Sequence, residues 1–282
     1  MNNLANNTTS SATANAENRI VQTFAQLKAR GETAFIPFIT GGDPDIATTE
    51  KLLHALADAG ADLIEIGIPF SDPVAEGPVI EAASARALLA GCTVDKLFDL
   101  VKKVRTDAGN PIRVPILFMT YFNPIFAYGT ERFIARCTDA GIDGLIVPDL
   151  PFSERDELYA PCTEANIELI SLIAPTTDDR IGEIAAKSSG FLYCVSSLGV
   201  TGTRANLGGA ASDMIAQAKE TSDIPCCVGF GILGPEQARA MAQVADGVIV
   251  GSALVRIAEE YGKDCVDHIH QFAWRLKSAI SS

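Results

Sequence analysis

The sequence predicts an α/β protein in which eight parallel strands close into a (β/α)8 TIM barrel, with one extra helix ahead of the first strand. Three observations lead there. Short, nearly continuous apolar runs recur eight times, the pattern of parallel strands covered on both faces. Segments with helical spacing lie between them, several ending in an Ala-Gly or Asp-Gly step that stops a helix. Eight such units in roughly 250 residues suit a closed barrel better than an open doubly wound sheet.

Taken in order, RIVQTFAQLKAR (19–30) reads as the extra helix and AFIPFIT (34–40) as the first strand. TTEKLLHALADAG is helical, and DLIEIGI (62–68) is the second strand. VDKLFDLVKKVRTDAG leads into the third strand, RVPILFMTY (113–121), and TERFIARCTDAG into the fourth, GLIVPD (144–149). ELISLIAP (168–175), FLYCVSS (191–197), PCCVGFGI (225–232) and DGVIVGS (246–252) complete the set, with helical GPEQARAMAQVADG between the last two. No G-x-G-x-x-G opens the first unit, which weakens a dinucleotide-binding reading. The organisation is a single barrel domain, 19–282, behind a leader, 1–18. The leader has no Lys, no Arg and no apolar run, so it reads as disordered rather than as a secretory or transit signal.

Composition narrows the function. Acidic residues outnumber basic ones 35 to 22, a net charge of −13, which argues against nucleic acid as a partner because a phosphate backbone calls for clustered cations. A small anionic substrate stays open, since backbone N–H groups can hold one. The longest charge-free stretch, 114–130, is interrupted by Pro115, Asn123 and Pro124 and reads as a strand and loop rather than a membrane span. Seven cysteines without a C-x-x-C pair suggest buried reduced thiols in a cytoplasmic protein, with no metal site. Cys226 and Cys227 are expected to split between the two faces of a strand.

In this fold the chemistry sits at the C-terminal ends of strands. Glu65 lies mid-strand on the face of Leu63 and Gly67, where a charge is costly unless paired or functional. Desolvation there raises a carboxyl pKa and lets it exchange protons near neutral pH; a structural Glu bonded to a neighbouring strand is the alternative. The long loop after that strand holds Asp72, Glu76 and Glu81. Asp72 or Glu76 is a candidate to pair with Glu65, and Glu81 suits a helix start. Asp149 reads as a turn cap. The last three strands end in Gly-bearing loops, whose backbone donors Gly202, Gly231, Gly251 and Ser252 form a phosphate cradle with the helix starting near Ser252. The stretch 196–209 is long enough for a lid. Phe38, Met119, Ile173, Tyr193 and Phe230 sit near strand ends, where they line a pocket for a flat apolar group or simply pack the core. Trp274 is expected to pack the last helix onto the barrel. His54, His268 and His270 lie in helical segments, which disfavours a His-based hydrolase.

From about Arg19 onward the chain resembles the tryptophan synthase α-subunit family. The resemblance rests on FIPFITGGDPD, LIEIGIPFSDPVAEGP, VPDLP, SSLGVTG, GFGI and GSALV, in that order and spacing. It implies a lyase that splits indole-3-glycerol phosphate into indole and glyceraldehyde 3-phosphate by a retro-aldol step, with no cofactor and no metal. It places the family's proton-shuttling Glu on Glu65 and its second acid, facing the indole N–H, on Glu76. Tyr193 and Phe230 then lie by the ring, Phe38 beneath it and Thr201 in the lid, while Gly202, Gly231, Gly251 and Ser252 hold the phosphate. It also implies a pyridoxal-phosphate-dependent β subunit in an α2β2 complex, with Asp72 and its loop near that partner. The family reads Ala-Asp-Gly-Pro where this chain has Ala75-Glu76-Gly77-Pro78. One added methylene shifts a carboxylate by about 1 Å, a misplacement that costs about 10²-fold. That motivates an alternative, a weakly active α-type subunit serving mainly as an allosteric activator of the β subunit.

Overall fold

Eight short, largely buried strands pair in sequence order, and the last returns to the first to close the sheet on itself. The computed structural model describes residues 17–195, 207–229 and 231–281. In chain order the main elements are α1 (Arg19–Arg30), β1 (Ala34–Thr40), α2 (Ile46–Asp58), β2 (Ile64–Gly67), α3 (Pro78–Leu89), α4 (Val94–Thr106) and β3 (Ile116–Met119). Then come α5 (Phe122–Tyr128), α6 (Thr130–Ala140), β4 (Gly144–Ile146), α7 (Asp156–Glu164), β5 (Glu168–Ile173), α8 (Ile181–Lys187) and β6 (Leu192–Val195). The chain continues through α9 (Leu207–Lys219), β7 (Cys226–Gly229), α10 (Pro235–Ala242), β8 (Gly247–Val250), α11 (Ser252–Tyr261) and α12 (Cys265–Ile280). The α/β barrel with its extra N-terminal helix is the architecture expected from the repeating runs.

Period two divides every strand between two cores. Ala34, Ile36, Leu63, Leu117, Ile146, Ile170, Tyr193, Cys227 and Ile249 fill the barrel interior. Their neighbours, such as Phe35, Ile64, Ile66, Phe118 and Val248, face the helices. Cys226 lies on the outer side and Cys227 on the inner, so the adjacent pair splits as expected. All seven cysteines are buried and unbridged.

The extra helix closes the bottom. Ile20, Phe24 and Leu27, spaced to share one face, are buried against the interior cluster, with the Phe24 ring 5.6 Å from Phe191. Asn18 belongs to this fold rather than to a leader. Its side chain accepts from the Ile20 amide and donates to the Asp143 and Asn166 carbonyls, anchoring the helix across the barrel floor. At the other end of the chain, α12 packs against α2, α10 and α11 through Ile269, Ala273, Leu276 and Ile280. Trp274 is 58% exposed, contrary to expectation, because it falls one residue off that buried stripe.

Candidate active site

β2 carries Glu65 into the barrel interior, in register with Phe38 on β1 and Leu117 on β3. The side chain is fully buried, and neither carboxylate oxygen has a hydrogen-bond partner among the described residues. The alternative of a structural Glu bonded to the next strand therefore finds no support in the geometry. Burial pushes the carboxyl from its ordinary 4.5 to about 8. Leaving a polar group dry and unpaired costs stability, so such a group is a reactive-site candidate. Tyr193 feels it directly: burial raises its phenol well above the usual range, and the Glu65 charge adds to that.

The loop after β2 holds three acids in different surroundings. Asp72 is exposed and accepts from the Ser71 hydroxyl at 2.5 Å. Glu81 is exposed in the first turn of α3, where a carboxylate simply complements the helix dipole. Glu76 differs. It is half-buried, one of its oxygens is dry with no partner among the described residues, and burial followed by the Glu81 charge raises it to about 7.

Tyr121 holds this loop in place. Its hydroxyl accepts from the Ala75 amide at 3.0 Å, its ring lies 5.5 Å from that of Phe70, and burial with the Glu76 and Asp149 charges pushes the phenol to about 12. The sequence reading passed over Tyr121, although a tyrosine just past the third strand is where a barrel places functional side chains. It also passed over Thr40, buried at the end of β1 with its hydroxyl unpartnered among the described residues. Asp149 departs from the turn-cap reading: it accepts from the Phe122 amide at the start of α5 at 2.8 Å and so ties the loops after β3 and β4 together.

Glycines on neighbouring strands make room for the two interior rings. A Cβ on Gly67 would come within 2.6 Å of the Phe38 ring and one on Gly251 within 3.2 Å, so Phe38 lies between the ends of β2 and β8. Tyr193 lies over Gly229, where a Cβ would meet its hydroxyl at 2.5 Å. Gly229→Ala is therefore expected to displace the Tyr193 ring beside Glu65. It should cost about 1–3 kcal/mol of overpacking, read by chemical denaturation, together with lost activity; wild-type stability and turnover would refute the packing argument. Met119 joins Phe38, Ala83 and Val255 at the rim. Ile173 is a correction: it packs outward with Ile181 and Leu192, and by alternation Leu172 is the residue facing the interior.

At the end of β8, Gly251 precedes α11, which begins at Ser252. The Leu254 and Val255 amides both bond the Gly251 carbonyl, so the Ser252 and Ala253 amides have no partner within the helix. The ten-residue helix has no acidic residue in its first turn, leaving its positive end uncompensated from within. Gly231 follows β7 at φ 77°, a conformation that favours glycine. Thr201, Gly202, Phe230 and positions 196–206 of the lid expected over 196–209 lie outside the described residues, while 207–209 open α9. His54 lies in α2, and His268 and His270 in α12, with His268 stacked on Tyr261 at 3.7 Å. No group of three or more metal-ligating side chains occurs among the described residues.

The family model for the tryptophan synthase alpha chain matches residues 24–280. The tryptophan synthase alpha chain of Citrifermentans bemidjiense is 46% identical over 264 residues, covering 93% of this chain and 97% of that one. The structure of tryptophan synthase subunit alpha from Legionella pneumophila superposes with a TM-score of 0.84 at 38% identity, covering 94% of this chain and 99% of that chain. A Mycobacterium tuberculosis tryptophan synthase structure gives 0.85 at 34% identity, covering 95% of this chain and 100% of that chain. With near-complete coverage of both sequence and barrel, the chain belongs to the tryptophan synthase alpha chain family.

Proposed function

We propose that this protein is the lyase subunit that cleaves indole-3-glycerol phosphate to indole and glyceraldehyde 3-phosphate in tryptophan biosynthesis, with Glu65 and Glu76 as its catalytic residues. The observation that carries the assignment of roles is Glu65: a dry carboxyl raised to about 8 inside the barrel, available as a proton donor at neutral pH. In this mechanism neutral Glu65 protonates the indole at C3, which turns the ring into an electron-accepting indolenine. The resulting carboxylate takes the proton of the side-chain hydroxyl. The C–C bond then breaks, its electron pair returns to the ring, the hydroxyl carbon becomes the aldehyde, and Glu65 is neutral again. Ionised Glu76 faces the indole N–H and stabilises the positive charge that develops there.

Phe38, Tyr193, Phe230 and Thr201 would surround the ring. Gly202, Gly231, Gly251 and Ser252 would hold the phosphate by backbone donors, aided by the positive end of α11. The division of labour follows from solvation: the carboxyls need a dry cavity, whereas a phosphate is best held by unpaired amides that carry no compensating anion.

The partner that the family implies is a β subunit. We place its contact at Asp72 and the β2–α3 loop, and take the assembly as α2β2 with pyridoxal phosphate bound by the partner and not by this chain. Val74, 80% exposed in that loop, supports the placement, as does Phe126, 69% exposed on α5. The Tyr121 contacts tie that loop to the start of α5. No helix among the described residues is long and apolar enough to cross a membrane; cytoplasmic location is part of the proposal.

The test is indole release from indole-3-glycerol phosphate by the purified chain, with and without β subunit. Turnover in either condition supports the lyase. No turnover even with the β subunit, alongside acceleration of that partner's own reaction, assigns the chain to the activator role. The same assay addresses Glu76. Glu76→Asp is expected to preserve or raise activity, because the shorter acid keeps the charge; a total loss would show that the loop held by Tyr121 is built around Glu.

A further inference from the structure

The floor of the barrel carries a polar, half-open cavity of about 230 Å³, far from the strand ends where the chemistry sits. Arg19 from the start of α1, Lys102 and Arg105 from α4, and Arg113 before β3 line it, together with Gly141 after α6. Four cations here face two carboxylates, Asp139 and Asp143, in a chain whose net charge is −13. Asp143 is consumed on its buried side by Arg19 and Arg105, each at 2.6 Å, and Asp139 is held by Lys102 at 2.8 Å. Arg113 is exposed and has no hydrogen bond or ion pair among the described residues. Gly141, at φ 80°, gives the guanidiniums their close approach: a Cβ there would lie 3.3 Å from the Arg105 side chain and 3.6 Å from Arg19.

We propose that this floor cavity is an anion site that takes a small phosphate-class oxyanion between Arg113, Arg19 and Lys102. Planar guanidinium donors match a tetrahedral oxyanion in geometry as well as charge. Two uncompensated positive charges crowd one cavity, and a dianion relieves that repulsion where a single chloride does so only in part. Arg105 feels the crowding: burial pulls its guanidinium down to about 10 against the opposing charge of Asp143, and the charges of Arg19 and Arg113 add to the fall. The cavity is several times the ~30 Å³ that a water occupies in the liquid, so an oxyanion enters with part of its hydration shell.

The experiment is a titration of the 15N-labelled full chain with inorganic phosphate at constant ionic strength, sodium chloride making up the balance. The Gly141 and Thr106 amide signals are expected to shift saturably, and Arg113→Glu to weaken that midpoint tenfold or more. Gly251 and Ser252, at the other end of the barrel, should keep their own midpoint in the variant. Lys102→Ala gives an independent reading on a second exposed side chain, with a weakening of about threefold or more expected. Shifts at Gly141 that track ionic strength alone, or a midpoint unmoved by both substitutions, would overturn the site.

Discussion

Glu65→Gln should abolish indole release while making the protein more stable. The activity loss follows from removing the proposed proton shuttle, a contribution of roughly 10²–10⁴-fold for general acid–base catalysis. Substrate affinity should stay near normal, since Gln fills the same volume. The stability gain has a definite pH window. Between about 4.5 and 8 the unfolded chain gives up this proton while the folded chain keeps it. The unfolded state therefore binds fewer protons, and stability falls as pH rises through that window. Above about 8 the folded protein carries the full penalty of a buried, unpaired carboxylate, on the order of 3–5 kcal/mol. Gln has no such penalty, so the variant should pull ahead of wild type as pH rises from 5 to 9 in urea unfolding. A variant that retains turnover removes Glu65 from the mechanism; a stability difference independent of pH removes the raised pKa.

The rate profile of the wild-type enzyme carries the same logic. Neutral Glu65 and ionised Glu76 are both required, so kcat/KM should rise through about 7 and fall through about 8. The acid limb then reports Glu76, raised by burial and the Glu81 charge, and the basic limb Glu65, raised by burial alone. Glu76→Gln should flatten the acid limb and leave the basic one.

The largest purely structural effect is expected from Asp143→Ala. This carboxylate, almost fully buried beneath the barrel, accepts from Arg19, from Arg105 and from the Ile116 amide at the start of β3. Arg105 is itself only 8% exposed and donates further to the Gly141, Ile112 and Val114 carbonyls. Removing Asp143 leaves that guanidinium buried without its counter-charge. Breaking a buried pair in this way costs about 3–5 kcal/mol, which corresponds to a fall in Tm on the order of 10 °C. Denaturation of the purified variant measures it. A loss below about 1 kcal/mol would mean that the backbone carbonyls alone hold Arg105.

Strand and helix positions were legible because they depend on local periodicity. The helix 19–30 and the strand 34–40 match their observed bounds, and Glu65 stood out as a charge in an otherwise apolar run. Errors arose where a residue's surroundings depend on distant chain. Ile173 lies at a strand end, and alternation counted from Ile170 turns it outward. Trp274 misses the buried stripe of α12 by one position. Asn18 sits in a polar run that reads as leader, but its partners, Asp143 and Asn166, are more than a hundred residues away.

Composition and period were enough to specify a closed parallel barrel and the strand bearing the central acid, and the resemblance of the quoted motifs pointed to the family. Composition and spacing could not separate Glu76 from Asp72, two loop acids alike on paper. Barrel closure makes that distinction, because it brings Tyr121, just past β3, against the loop after β2 and leaves one Glu76 oxygen buried while Asp72 stays wet. Alternation along a chain says which way a side chain points. Its pKa and reactivity come from desolvation and neighbouring charge, which exist only once segments remote in sequence are packed side by side.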